Sequence, residues 1–239
     1  MPVLAAASVI ALAGAANAAP APAQTWDGFY VAGVVGAQAT DAGFSLPGDA
    51  NDALLQTHNS HTAFSGGGIV GFNHQMDNWV VGVEGDVVDG DNTQSVTDCT
   101  VPDGCWTPTH DSFTTFNHLH EGVNGHLRVR LGYATGRTLF YVAGGYSVAD
   151  TRLDLVGNCY NPGNPSTPLL FNYSRSKVDS GFNIGAGVEH AVGAHVTLRA
   201  EYVFDDFGNE LYKGDGAEWN DRRIDVQNSN FRVAAAYKF

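Results

Sequence analysis

Beyond residue 18 the sequence contains no run of 18 or more apolar residues, and this absence excludes a membrane-spanning helix there. Basic residues are also scarce, since 12 Lys and Arg stand against 25 Asp and Glu, giving a formal net charge of −13. Nucleic-acid binding needs a basic surface to neutralise phosphate, so this balance argues against it. Charged residues make up only 15% of the chain, and glycine is abundant at 29 residues. This composition suits an all-β protein, either secreted or inserted in a membrane.

Cysteine is rare, with Cys99, Cys105 and Cys159 all in segments that we predict to be loops. In an oxidising compartment, Cys99 and Cys105 are close enough in sequence to form a disulfide that leaves Cys159 unpaired. A zinc site would need closer CxxC-type spacing together with histidine partners.

Histidine is more frequent, at nine residues, but no HExxH or similar ligand spacing is present. His118 and His120 lie two residues apart before a predicted strand, and His58 and His61 lie in the first predicted loop. A haem- or metal-binding surface receptor that uses these side chains is therefore kept as an alternative function, and no cofactor is predicted.

The N-terminus has the pattern of a secretion signal. An apolar run from Leu4 to Ala16 leads to the small-residue cleavage box Ala16-Asn17-Ala18. We predict a signal peptide over residues 1–18 and an Ala/Pro spacer over residues 19–25. The lack of basic residues before the apolar run leaves open a start further upstream.

The last nine residues carry the clearest structural pattern. Phe231, Val233, Ala235, Tyr237 and Phe239 alternate with polar or small residues. Strict alternation is typical of a β-strand whose two faces meet different media. A terminal aromatic suits the interfacial girdle of a membrane barrel, so we predict a membrane-facing strand here.

Seven further segments alternate in the same way: residues 26–39, 63–75, 79–88, 122–134, 138–149, 180–192 and 195–204. The connections between segments alternate between a few residues and roughly 20 to 30 residues. Short turns at one end and long loops at the other are typical of outer-membrane barrels with periplasmic turns and extracellular loops. This uneven spacing also argues against an immunoglobulin-like sandwich.

The sequence therefore predicts an all-β fold, an eight-stranded antiparallel up-and-down transmembrane β-barrel over residues 26–239. An unpaired backbone group costs several kcal/mol in a bilayer, so the sheet has to close. The last strand is expected to pair with the first.

If the apolar face of each strand meets lipid, the opposite face lines the lumen. Nine charged residues then point inward: Glu84, Asp86, Arg128, Arg130, Glu189, Arg199, Glu201, Arg232 and Lys238. The interior of an eight-stranded barrel is just wide enough for side chains to fill, and an unpaired buried charge is very costly. We expect these residues to pair with one another and to plug the lumen, with a small diffusion pore as the alternative.

No pattern points to catalysis. Ser65 and His74 are the residue types that a lipid-acyl hydrolase would use, but their separation along one strand argues against a pair. We predict that the protein is not an enzyme.

The predicted outer loops are acidic. Residues 89–121 contain no Lys or Arg, and their carboxylates are Asp89, Asp91, Asp98, Asp103, Asp111 and Glu121. Residues 205–227 add Asp205, Asp206, Glu210, Asp215, Glu218, Asp221 and Asp225. The simplest interpretation is a hydrated, soluble surface. The alternative is that these groups bind Ca²⁺ or Mg²⁺ shared with lipopolysaccharide phosphates, since hard cations prefer oxygen ligands.

Several strand motifs occur in a familiar order. They are Trp26-Asp-Gly-Phe-Tyr-Val-Ala-Gly33, Val81-Gly-Val-Glu-Gly-Asp86, Arg128-Val-Arg-Leu-Gly-Tyr133, Leu139-Phe-Tyr-Val-Ala-Gly-Gly145, Gly185-Ala-Gly-Val-Glu189, Arg199-Ala-Glu-Tyr202 and the terminal Tyr237-Lys-Phe239. In these segments the chain resembles the alphaproteobacterial small porin-like outer-membrane proteins, the outer-membrane immunogenic protein group of Brucella and rhizobia. The resemblance covers all eight predicted strands.

The resemblance implies a location in the Gram-negative outer membrane, in contact with lipid and lipopolysaccharide. It also implies insertion by the barrel-assembly machinery, which in such proteins reads the C-terminal aromatic strand, here Phe231, Tyr237 and Phe239. The implied role is structural, in envelope integrity and surface exposure, and ligands on host or environmental surfaces remain open. Some relatives bind haemin, which keeps that alternative open too, and no catalytic residue is implied.

Overall fold

The computed structural model describes residues 25–45, 57–99, 112–160, 169–213 and 221–239, which form eight antiparallel strands in one closed barrel. The strands are β1 (Gly28–Ser45), β2 (Thr57–Met76), β3 (Trp79–Cys99), β4 (Ser112–Thr135), β5 (Thr138–Tyr160), β6 (Leu169–Ala191), β7 (Val196–Tyr212) and β8 (Arg222–Lys238). The predicted fold class is confirmed. None of the described segments is a helix long and apolar enough to span a membrane. Apart from residue 25, the predicted signal peptide and spacer lie outside the described residues.

Pairing between the first and last strands closes the barrel. The register runs from Tyr30 opposite Lys238 to Ser45 opposite Arg223, and the Phe239 N–H donates a hydrogen bond to the Phe29 carbonyl at 3.0 Å. Strand β8 begins at Arg222, well before the predicted segment that started at Phe231.

Three short turns lie at one end of the barrel, which we call the turn end. Asp77 and Gly136 have φ values of 53° and 58° in the turns after β2 and β4. Glycine, and less often aspartate, tolerates this left-handed conformation, which tight hairpin turns require. Both ends of the barrel chain, near residues 25 and 239, also lie at the turn end, and the opposite end is the loop end.

The outer wall carries a belt of apolar side chains. Strand β4 shows the pattern, because Leu127, Val129, Leu131 and Tyr133 are exposed while Arg128 and Arg130 between them are buried. At the turn end the belt finishes in aromatic contacts, such as Phe29 with Phe72 at 4.8 Å between ring centroids. This arrangement fits a wall in contact with hydrocarbon and an aromatic girdle at its boundary.

The strands extend further toward the loop end than predicted. Residues 89–99 and 112–121, which were predicted to be loop, are the ends of β3 and β4. The polarity of the inner face reverses in this part of the barrel. Its inner core is apolar, formed by Ala42, Phe44, Leu119, Ala149, Leu153, Leu155, Phe207, Tyr212, Ile224 and Val226. Outward polar residues such as Arg152 and Asp154 suit water, so the predicted alternation of apolar-out and polar-in no longer identifies a strand there.

The wall also divides in two toward the loop end. Pairing of β2 with β3 stops at Gly66 and Asp89, and pairing of β6 with β7 stops at Phe182 and Asp206, although all four strands continue. Two four-stranded half-sheets result: the first is β7–β8–β1–β2 and the second is β3–β4–β5–β6. The apolar core lies between them, as in a β-sandwich.

Candidate functional site

Eight of the nine charged residues predicted to face the lumen form one connected group, which we call the ion-pair network. Its members are Glu84 and Asp86 on β3, Arg128 and Arg130 on β4, Glu189 on β6, Arg199 and Glu201 on β7, and Arg232 on β8. Every member is buried, and period-two alternation on five strands aims them at the same interior.

Each arginine in the network contacts at least two carboxylates. Arg199 Nη1 lies 2.7 Å from Glu84 Oε2, and its Nη2 lies 3.1 Å from Glu189 Oε2. Arg128 contacts Glu84 and lies 2.8 Å from Glu201 Oε1 and 3.1 Å from Asp86 Oδ2. Because the pairs share partners, loss of one side chain affects several others.

The remaining two arginines complete the network. Arg130 Nη2 lies 3.0 Å from Glu189 Oε2, and Arg232 Nε lies 2.8 Å from Glu201 Oε2. Four guanidinium groups thus face four carboxylates, so the charge of the network is balanced. Buried charges are tolerated only when they are paired and hydrogen-bonded in this way.

Neutral and titratable side chains that the sequence did not single out support the network. The Tyr30 hydroxyl donates to Glu84 Oε2 at 2.6 Å, and the Thr197 hydroxyl donates to Glu189 Oε1 at 2.6 Å. His126 Nδ1 lies 2.6 Å from Asp86 Oδ1. His126 Nε2 lies 3.0 Å from Asp205 Oδ1, within ion-pair distance but without hydrogen-bond geometry.

Two glycines make room for the tyrosines that line this interior. A Cβ on Gly71 would lie 2.3 Å from the Tyr30 hydroxyl oxygen, and one on Gly187 would lie 2.5 Å from that of Tyr141. The ring of Tyr141 in turn lies 4.0 Å from the Arg130 guanidinium carbon, in a cation–π contact. Glycine within a strand often marks such a close approach, and this signal could have identified both tyrosines from sequence.

Lys238, the ninth predicted lumen residue, lies at the turn end. Its ammonium donates to the backbone carbonyl of Thr25, and within the described part of the chain it forms no ion pair with the network. The terminal aromatics Phe231, Tyr237 and Phe239 are all exposed on the outer wall. The side chains of Cys99, Cys105 and Cys159 lie outside the described residues, so the proposed disulfide stays a prediction.

A second buried polar group lies on the loop side of the network. Glu121 and Asp205, which we predicted to belong to hydrated outer loops, are instead 1% exposed and face the lumen from β4 and β7. The Thr40 hydroxyl donates to Glu121 Oε2 at 2.9 Å, and the Asn228 amide donates to Oε1. The prediction of surface carboxylates is therefore wrong for these two residues, because the strands continue beyond the belt.

The other candidate sites do not assemble. Ser65 is buried inside the wall, whereas His74 is exposed outside and contacts Asp27. His118 and His120 lie on the outer face and bond to the hydroxyls of Ser95 and Thr93 through Nδ1. Within the described ranges, no three His, Cys, Asp or Glu side chains converge in a way that could hold a metal ion.

A closed eight-stranded barrel with an apolar belt outside and buried ion pairs inside is the architecture of an outer-membrane protein. Comparison with known proteins agrees. Residues 7–239 match the family model described as "Outer membrane protein beta-barrel domain". The chain belongs to this family and is a protein of the outer membrane.

Its curated relatives carry related names. The 31 kDa outer-membrane immunogenic protein of Brucella melitensis biotype 1 is 28% identical over 246 residues, covering 97% of this chain and 91% of the relative. The 22 kDa outer membrane protein of Rhizobium leguminosarum bv. viciae is 28% identical over 201 residues, covering 83% of this chain and 72% of the relative. These names confirm the predicted resemblance.

Solved structures that match this chain are less similar to it in sequence than these relatives. Neisserial surface protein A (NspA) matches with a TM-score of 0.40 and 15% identity, over 88% of this chain and 97% of that one. OprG from Pseudomonas aeruginosa matches with a TM-score of 0.44 and 10% identity, over 91% of this chain and 100% of that one.

Proposed function

We propose that the protein is a structural component of the outer membrane, with a lumen plugged by its own charged side chains, and that it is not an enzyme. The observation that supports this most strongly is the ion-pair network, which links β3, β4, β6, β7 and β8 across the interior. A wide diffusion pathway would need these side chains to separate, at the cost of leaving buried charges unpaired.

The interior on both sides of the network is also filled. Toward the turn end, Trp26, Val80, Leu139, Tyr141 and neighbouring alanines form a buried apolar cluster. Toward the loop end lies the apolar core between the half-sheets. Packing of this kind favours a structural role over a small diffusion pore.

The proposed partners are those of an envelope protein. The apolar belt would contact membrane lipid and lipopolysaccharide, and the barrel-assembly machinery would insert the chain. The strands that extend past the belt would present their polar outer faces to the surroundings of the cell, including host or environmental surfaces.

Envelope integrity can be measured directly in the host bacterium. Deleting the gene is expected to increase the uptake of a hydrophobic fluorescent dye and the sensitivity to detergent, because the outer membrane loses a structural barrel. A copy of the wild-type gene is expected to restore both. A deletion strain with unchanged dye uptake and detergent resistance would contradict the proposed role.

A further inference from the structure

His126 is a buried histidine whose two ring nitrogens face two different carboxylates. Its Nδ1 lies 2.6 Å from Asp86 Oδ1 on β3, and its Nε2 lies 3.0 Å from Asp205 Oδ1 on β7, with all three side chains at most 1% exposed. A neutral imidazole carries one N–H, so its other nitrogen would direct a lone pair at a carboxylate oxygen. The imidazolium has an N–H on each nitrogen, and its positive charge is attracted to both carboxylates.

The surrounding charges leave Asp205 with His126 as its cation. Charged side chains reach this part of the lumen from β3, β4, β7 and β8, and they are Asp86, Arg128, Glu201, Asp205 and Arg232. Both arginines belong to the network, whose charges are already balanced. No described Lys or Arg lies within ion-pair distance of Asp205, and the Ser147 hydroxyl that donates to it at 2.7 Å is neutral. An uncompensated buried carboxylate is very unfavourable, so a positive His126 supplies the missing charge.

Glu121 near Asp205 is the contrasting case. The Thr40 hydroxyl and the Asn228 amide donate to its two oxygens, and no described Lys, Arg or His lies within ion-pair distance of it. A buried carboxyl in such surroundings is most stable with a proton in place of a charge. Asn124 Oδ1, which otherwise lacks a partner, belongs to a side chain within hydrogen-bond reach of Glu121 and can accept that proton. One buried carboxyl is therefore paired with a cation and the other is neutral.

The contact between His126 and Asp205 joins the two half-sheets. His126 on β4 belongs to the second half-sheet, whereas Asp205 on β7 belongs to the first. Asp205 is opposite Asn183 on β6, and only the pair of Phe182 with Asp206 lies between it and the point where pairing of β6 with β7 stops. The ion pair therefore ties the wall together where backbone hydrogen bonds between these strands end.

We propose that His126 is a doubly protonated imidazolium at neutral pH and that its proton is a pH-sensitive lock between the two half-sheets. While the ring is charged, its ion pair with Asp205 holds the loop side of the lumen closed. Loss of the proton in alkaline solution leaves Asp205 as an unpaired buried charge, which loosens this part of the wall. The lock deepens the plugged lumen proposed above and rests on it.

The test is nitrogen NMR of the purified full-length barrel, labelled at histidine and folded in detergent micelles. A solvated histidine is neutral at about pH 8, because its ordinary pKa is about 6.5. At that pH, His126 is expected to keep the chemical shifts of an imidazolium at both nitrogens. A neutral ring in the wild type would overturn the lock and leave the plug intact, whereas ion conduction in planar bilayers would overturn the plug itself.

The signal of His126 is the one that disappears in His126→Gln. If that variant does not fold, a barrel in which the other histidines are replaced identifies the signal instead.

Asp205→Asn and Glu121→Gln form a matched pair, since each replaces a carboxyl that is 1% exposed with an amide of similar shape. Asp205→Asn is expected to make His126 neutral at about pH 8, because the ring loses a charged partner. Glu121→Gln is expected to leave the ring protonated, because Glu121 carries no charge to lose. The same protonation state of His126 in both variants would overturn the proposal.

The stability of the barrel provides a second readout, by urea unfolding of the protein in lipid vesicles. Above about pH 6.5 the unfolded chain releases a proton that the folded chain keeps. The folding equilibrium constant of the wild type is therefore expected to fall about tenfold per pH unit relative to that of His126→Gln, until the folded ring also loses its proton. The control His118→Gln, on the outer face, is expected to keep a constant ratio to the wild type. A pH-independent ratio for His126→Gln would contradict the lock.

Discussion

At the scale of single residues, the value of an ion pair in this protein depends on where it lies. Arg199 is buried and contacts two carboxylates from different strands. Arg152 on the outer face also pairs, with its Nε 3.1 Å from Asp154 Oδ1, but its side chain is 58% exposed. Water and salt screen the outer pair, whereas the inner one has no substitute partner.

Replacing Arg199 with methionine is therefore expected to destabilise the barrel by about 3–5 kcal/mol, because Glu84 and Glu189 would each lose a buried partner. The free energy of unfolding can be measured by urea titration of the protein folded in lipid vesicles. Arg152→Met is the matched control, and we expect it to cost about 0–1 kcal/mol. Similar losses in both variants would show that the network does not hold the interior together.

The residues of the network could be placed on the inward face from the sequence alone. Which of them pair with each other could not be predicted. The alternation of apolar and polar residues along each strand identifies Glu84, Arg128 and Arg199 as inward-facing. Which arginine contacts which carboxylate depends on the stagger between neighbouring strands. The alternation along a single strand does not determine that stagger. Tyr30 and His126 were not singled out, because the lumen residues were selected by formal charge, in which tyrosine and histidine count as neutral.

At the scale of strands, the length of each element could be predicted only where it meets lipid. The turn-end boundaries agree closely, as in β3 beginning at Trp79 and β5 at Thr138. Beyond the belt, the medium outside changes from hydrocarbon to water while the inside becomes an apolar core, so the polarity pattern reverses. Glu121 and Asp205 lie at this boundary, one inward position before the apolar core residues Leu119 and Phe207 of the same strands, and both were assigned to loops because the alternation in the sequence ends there.

A separate prediction concerns the role of the last strand in assembly. Deleting Phe239 is expected to impair insertion into the outer membrane more than it lowers the stability of the folded barrel, because the aromatic strand is the proposed signal for the assembly machinery. The folded barrel would lose one hydrogen bond, to Phe29, and one girdle side chain. Outer-membrane fractionation measures the first effect, and urea unfolding measures the second.

Phe140→Ala serves as the comparison for this experiment. Phe140 is also an exposed aromatic near the turn end, but it lies in β5 rather than at the C-terminus. We expect this variant to insert normally. If both variants lower insertion and stability in parallel, Phe239 is a girdle residue and carries no assembly signal.

At the scale of the whole molecule, two architectures share one set of strands. Near the turn end the wall is a closed barrel around ion pairs, and near the loop end it is two half-sheets around an apolar core. Side chains bridge the β6–β7 gap, where the Tyr212 hydroxyl donates to Asp179 at 2.8 Å and the Tyr173 hydroxyl donates to the Lys213 carbonyl at 2.9 Å.

The central claim is that the lumen is closed, and planar-bilayer conductance tests it most directly. The purified barrel is expected to give no regular current steps across many insertions, because the proposed plug of paired charges and apolar side chains would block the lumen. A wide porin reconstituted in the same lipid provides the positive control, and protease protection verifies insertion of the barrel. Reproducible unitary conductance steps from the inserted wild-type protein would contradict the account and identify a diffusion pore.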